Sequence, residues 1–186
     1  MIIIGITGTL GAGKGTIVDF LSGEKGFIHF SVRAFIAEEI IRRGMVADRD
    51  SMVLIANDLR RNNTPSYIID CLYEKAVSAG KDSVIESIRT PGEVYSLRKK
   101  GGFYLIAIDA DPEIRYERIR LRHSETDHIS YQTFMENERR EMSSADPNAQ
   151  NISKCIELAD YKLWNNGTME QLNLQVEAIL LKIKEQ

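Results

Sequence analysis

Continuous apolar runs, rather than alternating ones, mark the strongest extended segments of this chain. Ile2-Ile3-Ile4 closing with Ile6, Ser83-Val84-Ile85, and Phe103-Tyr104-Leu105-Ile106-Ala107-Ile108 carry almost no polar interruption. A strand reads this way when both of its faces are covered, as in a parallel sheet. Phe27-Ile28-His29-Phe30 and Tyr161-Lys162-Leu163-Trp164 give two weaker strands, with Trp164 expected in the core. Between the runs the spacing becomes helical. Val32 to Arg43 places Val32, Phe35, Ile36 and Ile40 on one face and stops at Gly44. Tyr67 to Ala79 gathers Ile68, Ile69, Leu72, Ala76 and Val77 and stops at Gly80. Asp111-Pro112-Glu113 reads as a helix start, with a capping carboxylate before a proline at the first helical position. Thr168-Met169-Glu170-Gln171 reads as the capping box of the last helix. Strands alternating with helices predict an α/β fold: a parallel sheet of about five strands, helices on both faces, and ligands at the carboxyl ends of the strands.

Length and charge narrow this picture. The 186 residues suit one domain, and 43 % apolar with 27 % charged residues is a folding composition. A net charge of −3 supplies no global basic field for nucleic acid or anionic lipid, although it leaves room for a local basic site. Cys71 and Cys155 stand far apart with no C-x-x-C pair, which argues against a disulfide framework and a cysteine-rich zinc site. No apolar run approaches the length of a membrane span, and MIIIGITG is too short and lacks the basic leader of a signal peptide. The expectation is a cytoplasmic protein without nucleic-acid or membrane partners, either a monomer or a homodimer.

Chemistry concentrates in residues 8–16, Gly8-Thr9-Leu10-Gly11-Ala12-Gly13-Lys14-Gly15-Thr16, between the first strand and the first helix. The segment fits the phosphate-binding pattern G-x-x-x-x-G-K. Glycines let successive backbone N–H groups point inward, the helix N-terminus adds its positive end, and Lys14 adds a mobile cation. Gly8, Gly11, Ala12, Gly13, Lys14, Gly15 and Thr16 are therefore the candidate ATP-binding residues, and Lys14 the first catalytic candidate. A dinucleotide site is disfavoured by the spacing and by the second strand, which ends His29-Phe30-Ser31 with no acid. Neither D-x-x-G nor N-K-x-D is present, which disfavours a GTPase.

Gly15 follows Lys14 where the usual loop has Ser or Thr. GAGKGT resembles the loop of adenylate kinase and related nucleoside monophosphate kinases. Ser31-Val32-Arg33 resembles the start of their monophosphate-binding segment, here about residues 31–80. Val84-Ile85-Glu86-Ser87-Ile88-Arg89-Thr90 resembles their third strand, which implies that Arg89 grips the acceptor phosphate and makes Ser31 and Arg33 further acceptor candidates. Arg118-Ile119-Arg120-Leu121-Arg122 resembles their lid helix, implying Arg118 over the donor base and Arg122 on phosphate. The segment from Ala159 to Thr168, with Gln175-Val176, resembles the C-terminal signature of dephospho-CoA kinases. The resemblances imply a three-layer P-loop kinase fold with a short lid, about 122–130, using ATP and Mg²⁺.

Other readings stay open beside these. Arg115, Arg118 and Arg122 share a helical face, and a solvated face paired with Glu113 and Glu117 competes with phosphate roles. Arg115 is assigned to that solvated face. Arg139 and Arg140 either pair on a surface helix or reach the phosphate. Glu86, at a strand end, is placed to orient magnesium-bound water or the acceptor, so Thr16 and Glu86 are the candidate metal residues, each with water as a possible bridge. Asn166 could meet the adenine edge or simply form the strand-to-helix turn Asn165-Asn166-Gly167. His29, His123 and His128 read as packing or surface residues. The expected activity is transfer of the γ-phosphoryl of MgATP to a small phosphate-bearing acceptor, led by a nucleoside or deoxynucleoside monophosphate. Dephospho-CoA is the alternative acceptor, and a nucleotide-binding switch without transfer is the alternative class.

Overall fold

The five runs form five strands: β1 (Ile3–Gly8), β2 (Ile28–Ser31), β3 (Ser83–Glu86), β4 (Phe103–Asp109) and β5 (Tyr161–Trp164). A computed structural model, describing residues 1–122 and 129–185, arranges them in one sheet of order β2-β3-β1-β4-β5, every neighbouring pair parallel. The helices among these residues are α1 (Lys14–Gly23), α2 (Val32–Arg42), α3 (Arg49–Asn62), α4 (Tyr67–Ala79), α5 (Pro91–Lys100), α6 (Pro112–Leu121), α7 (Tyr131–Met142), α8 (Ile152–Leu158) and α9 (Met169–Lys184). The expected lid residues His123, Glu125, Asp127 and His128 lie outside the described residues.

The scarcity of polar positions in the central strands follows from the layering. Ile3, Ile85 and Leu105 pack with α2, α3, α4, α5 and α8, whereas Ile4, Ile6, Val84, Ile106 and Ile108 pack with α1 and α9. Successive side chains alternate between the two layers, and both layers are apolar. At the edge the pattern is different. Leu163 of β5 is buried but Trp164 is 57 % exposed, so the tryptophan expected in the core points outward. Val77 also departs from its assignment: it is 42 % exposed, on the outer side of α4. The Asp111 carboxylate makes no capping bond to α6 and instead accepts from Asn166 Nδ2 at 2.8 Å. Among the described residues, no helix is long and apolar enough to cross a membrane.

Topology fixes where a ligand can sit. The chain leaves β1 toward β3 and β2 on one side, then crosses to β4 and β5 on the other, so a crevice opens beyond the carboxyl end of β1. The end of β3 is bent into this crevice. Ile88 donates its amide to Ile6 O at 3.0 Å and accepts from Thr7 Oγ1 at 2.8 Å, which ties it to β1 immediately after β3 ends. Ser87, between them, takes φ 66°, the one positive φ outside glycine among the described residues. A non-glycine residue held there marks local strain where chain direction matters more than stability.

Two glycines of the phosphate-binding segment separate packing from chemistry. Gly8 pairs with Ile108 at φ 140°, and a Cβ there would overlap the Ile108 carbonyl. Gly15 has open space at the corresponding position. Gly8→Ala is expected to cost about 3 kcal/mol through overlap and strain, roughly 10 °C in Tm for a chain of this size. Gly15→Ala is expected to melt at or slightly above the parent temperature. Thermal unfolding of both variants checks the pair, and equal melting of Gly8→Ala and the parent would contradict this β1–β4 packing.

Candidate functional site

The first amides of α1 have no intrahelical partner and open onto the crevice, since the helix begins at Lys14 directly after Gly13. Their orientation depends on what holds the opposite side of the segment. Lys14 Nζ donates to Gly8 O at 2.9 Å and Thr9 O at 2.7 Å. Arg115 Nη1 donates to Leu10 O at 3.2 Å, and Asn165 Nδ2 to Ala12 O at 2.8 Å. Four of the loop's carbonyls are thus taken by side chains; Ala12 N turns to Thr9 O at 3.4 Å, and the first amides of α1 are left for an anion. Gly11 and Gly13 are required by close approach as well as by φ. A Cβ on Gly11 would lie 2.5 Å from Arg115 O, and one on Gly13 would overlap Asn165 Nδ2.

A cleft of about 740 Å³ opens over this segment. Its lining holds seven cationic side chains, Lys14 among them, against three acidic ones, in a chain whose net charge is −3. Such a concentration of positive charge selects anionic ligands. Burial and the nearby Arg89 guanidinium lower the Lys14 pKa to about 7, against the upward pull of Glu141 and Glu86. Glu86 behaves oppositely: burial pushes its carboxyl up, but hydrogen bonding from His29 and Ser31 and the charge of Lys14 outweigh burial and hold it below the usual carboxylate range. It is therefore an ionised oxygen donor on the cleft wall. Ser31 Oγ reaches Glu86 Oε1 at 2.8 Å and His29 Nε2 stands 3.5 Å from the same atom.

Most sequence candidates meet in this cleft. Gly11, Gly13, Lys14, Gly15, Thr16, Arg33, Glu86, Arg89, Arg118 and Arg122 all line it. Gly8 and Ala12 support the segment from behind, Ala12 being fully buried. Ser31 is not a lining residue: its hydroxyl caps α2 by accepting from Ala34 N at 3.2 Å and holds Glu86. Asn166 turns away to Asp111, while the adjacent Asn165, buried, makes the contact with the loop. Arg118 donates to Asn165 O at 2.9 Å, which brings α6 to the turn after β5. Arg115 corrects an expectation. It is 2 % exposed, ion-paired with Glu138 of α7 and stacked against Phe134, not solvated beside Glu113 and Glu117. Arg140 lies 3.5 Å from Asp50 and, like Arg139, is exposed and does not line the cleft.

Several site residues are not apparent from the sequence pattern. Arg49 and Arg60 enter from α3, and Glu141 from α7. Arg89 Nη1 donates to Glu141 Oε2 at 2.7 Å and to Gln150 Oε1 at 2.6 Å. The helix signals are nonetheless present. Asp48 and Ser51 form a capping box, and Met52, Ile55, Ala56 and Leu59 follow at helical spacing. Thr90-Pro91-Gly92-Glu93 is likewise the capping box of α5.

Residues 4–143 match a family model described as an AAA domain. A UPF0200 protein of Methanococcus vannielii is 31 % identical over the whole of both chains, and one of Methanothermobacter thermautotrophicus is 30 % identical over all of this chain and 92 % of its own. Among solved structures, TT1252 from Thermus thermophilus aligns over 97 % of each chain with TM-score 0.62 and 22 % identity. A gluconokinase from Sinorhizobium meliloti aligns over 100 % of this chain and 98 % of its own, with TM-score 0.58 and 13 % identity. A shikimate kinase from Bacteroides thetaiotaomicron gives TM-score 0.58 at 12 % identity, over 96 % and 98 % of the two chains. At these identities the likeness shows the fold, which is that of P-loop kinases.

The lowered pKa of Lys14 has a measurable consequence. A polyphosphate in contact with Nζ favours the charged form, so the bound pKa lies above the free value of about 7. Binding above pH 7 then takes up a proton, and affinity falls as pH rises, by up to about tenfold per unit. Calorimetry of ATP binding at about pH 8, in buffers of different ionisation heat, is expected to show uptake approaching one proton per chain. Uptake of zero would mean that Lys14 keeps one protonation state through binding, against a free pKa near 7 that the ligand raises.

Proposed function

We propose, for a chain that belongs to the UPF0200 family and to the AAA domain family, an ATP-dependent phosphotransfer to a small phosphate-bearing acceptor, a nucleoside or deoxynucleoside monophosphate. One observation carries this reading: a lysine-bearing phosphate loop and guanidinium groups from both flanking sides of β1 line the same cleft. Arg118 comes from α6, which follows β4, and Arg122 from its C-terminal cap, while Arg33, Arg49 and Arg60 come from helices that follow β2 and Arg89 from the loop after β3. Donor phosphates on the loop and an acceptor on the β2–β3 side would meet over its amides.

The chain's own contribution is placement and charge, which is most of what phosphoryl transfer requires. Lys14 Nζ leaves its two carbonyls for phosphate oxygens. Arg118, lying along the turn at residues 165–167, suits a base, and Arg122 suits the donor phosphates. Bound MgATP supplies the transferable phosphoryl group and the charge of the metal. Thr16 and Glu86 are hard oxygen donors on the cleft wall, as magnesium prefers, and would hold it directly or through water. An acceptor phosphate is already ionised and needs no base. A hydroxyl acceptor, such as that of dephospho-CoA, is the second reading. It is favoured by the ionised Glu86 with His29 and Ser31 at its Oε1, where a proton could be accepted. A cytoplasmic setting accords with the use of ATP.

An acceptor screen over nucleoside monophosphates, deoxynucleoside monophosphates and dephospho-CoA, read by product mass, tests both readings. ATP consumption that needs no acceptor would point to a switch instead. Lys14→Ala is expected to lower kcat by about 10²–10³-fold, the usual loss for one preorganised charge contact. Arg89→Lys is expected to raise the acceptor KM about tenfold, since lysine cannot reproduce a forked contact, with the KM for ATP unchanged. Arg122→Ala is expected to lower kcat with little change in acceptor KM. A two-substrate kinetic matrix on the three variants separates these effects, and equal weakening of ATP and acceptor by Arg89→Lys would reverse the assignment of the two sides.

A further inference from the structure

The strained corner after β3 carries a side chain where the backbone favours none. Eight glycines supply every other positive φ among the described residues, yet at φ 66° the chain has Ser87. Glycine adopts that conformation without the steric cost that a Cβ brings. The corner cannot relax. Glu86 before it is in register with Ile6 of β1 and Ser31 of β2. Ile88 after it is 1 % exposed and bonded to β1 through both its amide and its carbonyl. The fold makes no use of the side chain in return. Ser87 Oγ has no hydrogen-bond partner among the described residues. The residue is half-buried and lines the cleft, and its hydroxyl is not sealed from solvent. A side chain that strains the backbone, serves no contact in the fold and opens on a cleft points to a ligand.

Its place and surroundings describe what it meets. Ser87 follows the residue paired with Ile6, so it stands level with Thr7, just before the phosphate loop and on the β3 side of β1. Of the neutral polar side chains lining the cleft, Gln150 holds Arg89 and Asn165 holds Ala12 O, while Thr16 belongs to the loop. Ser87 is the one on the β2–β3 side whose hydrogen-bonding capacity is wholly uncommitted. Val32, Ile36, Met52, Val53 and Ala56 give that side an apolar wall. A hydroxyl both donates and accepts, and it carries no charge. The wall and the hydroxyl together suit a flat body with apolar faces and a polar edge, which is the description of a nucleobase.

We propose that Ser87 Oγ reads the base edge of the acceptor nucleotide, and that the backbone strain is tolerated because it presents this hydroxyl. The proposal rests on the phosphotransfer reading with a monophosphate acceptor and adds to it the side chain that recognises the base. With Glu86 and Ile88 both fixed to the sheet, the hydroxyl is held in place before any ligand arrives, so little ordering is needed on binding. A rotating hydroxyl meets an amino or a carbonyl edge equally well. Ser87 therefore favours an acceptor with a base over one without, more than it favours one base over another.

AMP, CMP, GMP and UMP, with ribose 5-phosphate as the base-free comparison, are titrated by calorimetry into the full-length protein saturated with AMP-PNP, a non-hydrolysable ATP analogue. In the parent, the tightest-binding monophosphate is expected to exceed ribose 5-phosphate by about tenfold or more. Ser87→Ala and Ser87→Gly are each expected to weaken that monophosphate about 3–10-fold, the loss of one neutral hydrogen bond, and to leave ribose 5-phosphate within about twofold. Ser87→Gly, relieved of the strain, is expected to melt no lower than the parent, which separates lost recognition from lost structure. A clearly lower melting temperature for Ser87→Gly would show that the fold needs the side chain and would overturn the proposal. Unchanged monophosphate affinity in both variants, or equal weakening of ribose 5-phosphate, would do the same. So would a parent that binds ribose 5-phosphate as tightly as every monophosphate, a result that needs no variant. AMP-PNP bound with none of the four monophosphates bound overturns the proposal and leaves the hydroxyl-acceptor reading standing. Failure of AMP-PNP itself to bind counts against the phosphotransfer reading, and the proposal falls with it.

Discussion

A loop that presents its amides to a ligand must have its carbonyls held by something else, and much of this structure is arranged around that requirement. Three side chains take four carbonyls of the loop: Lys14, from the loop's own helix, those of Gly8 and Thr9, Arg115, from α6, that of Leu10, and Asn165, from the turn after β5, that of Ala12. Each arrives from a different element, so the loop's shape is a property of the assembled fold rather than of its glycines alone. The glycines answer the complementary demand. Gly11 and Gly13 leave room for the backbone of Arg115 and the amide of Asn165 to approach. A buried arginine here is tolerable because every direction it faces is satisfied: Ala110 O at 2.7 Å, Leu10 O, the Glu138 carboxylate and the Phe134 ring.

The buried carboxylate of Glu93 plays the corresponding part on the other side of the cleft. It closes the capping box of α5, holds the backbone at Arg89 and Thr90, and carries Arg60. Removing one partner of such a pair typically costs about 3–5 kcal/mol, because the other is left charged and dry. A hydrophobic replacement of both would be less costly to the fold. What it could not supply is a guanidinium held at a fixed place by the carboxylate that also holds the backbone of Arg89.

The legibility of these features in the sequence follows their range. The phosphate loop, the five strands and the capping box at Thr168 are determined by residues within a few positions of one another, and the local pattern alone reveals them. Arg115 is not legible in this way, because its burial depends on Glu138 and Phe134, which lie beyond residues 123–128 in the chain. Arg60 fails for the same reason: an arginine in a polar helix looks solvated until Glu93 of another helix is placed against it. Asn166 is a case of another kind. Two asparagines stand side by side, and only the direction of the turn after β5 decides that Asn165 enters the loop while Asn166 holds Asp111. Trp164 belongs to an edge strand, where Leu163 alone faces the core, and a short apolar run does not distinguish such a strand from a central one.

Helix α7 joins the two halves of the cleft. Glu138 and Glu141 are three residues apart and so lie on neighbouring positions of one helical face. Glu138 holds Arg115, which holds the phosphate loop at Leu10, and Glu141 holds Arg89 and Arg49 on the β2–β3 side. The helix is pinned at its start by the packing of Tyr131 and Phe134 on Tyr116 of α6. A rigid displacement of α7 therefore cannot loosen the arginines of one side without disturbing the support of the other. The two sides of the cleft are mechanically linked through two carboxylates on one face of a helix, and the chain reaches that helix after α6, whose arginines line the cleft, and residues 123–128.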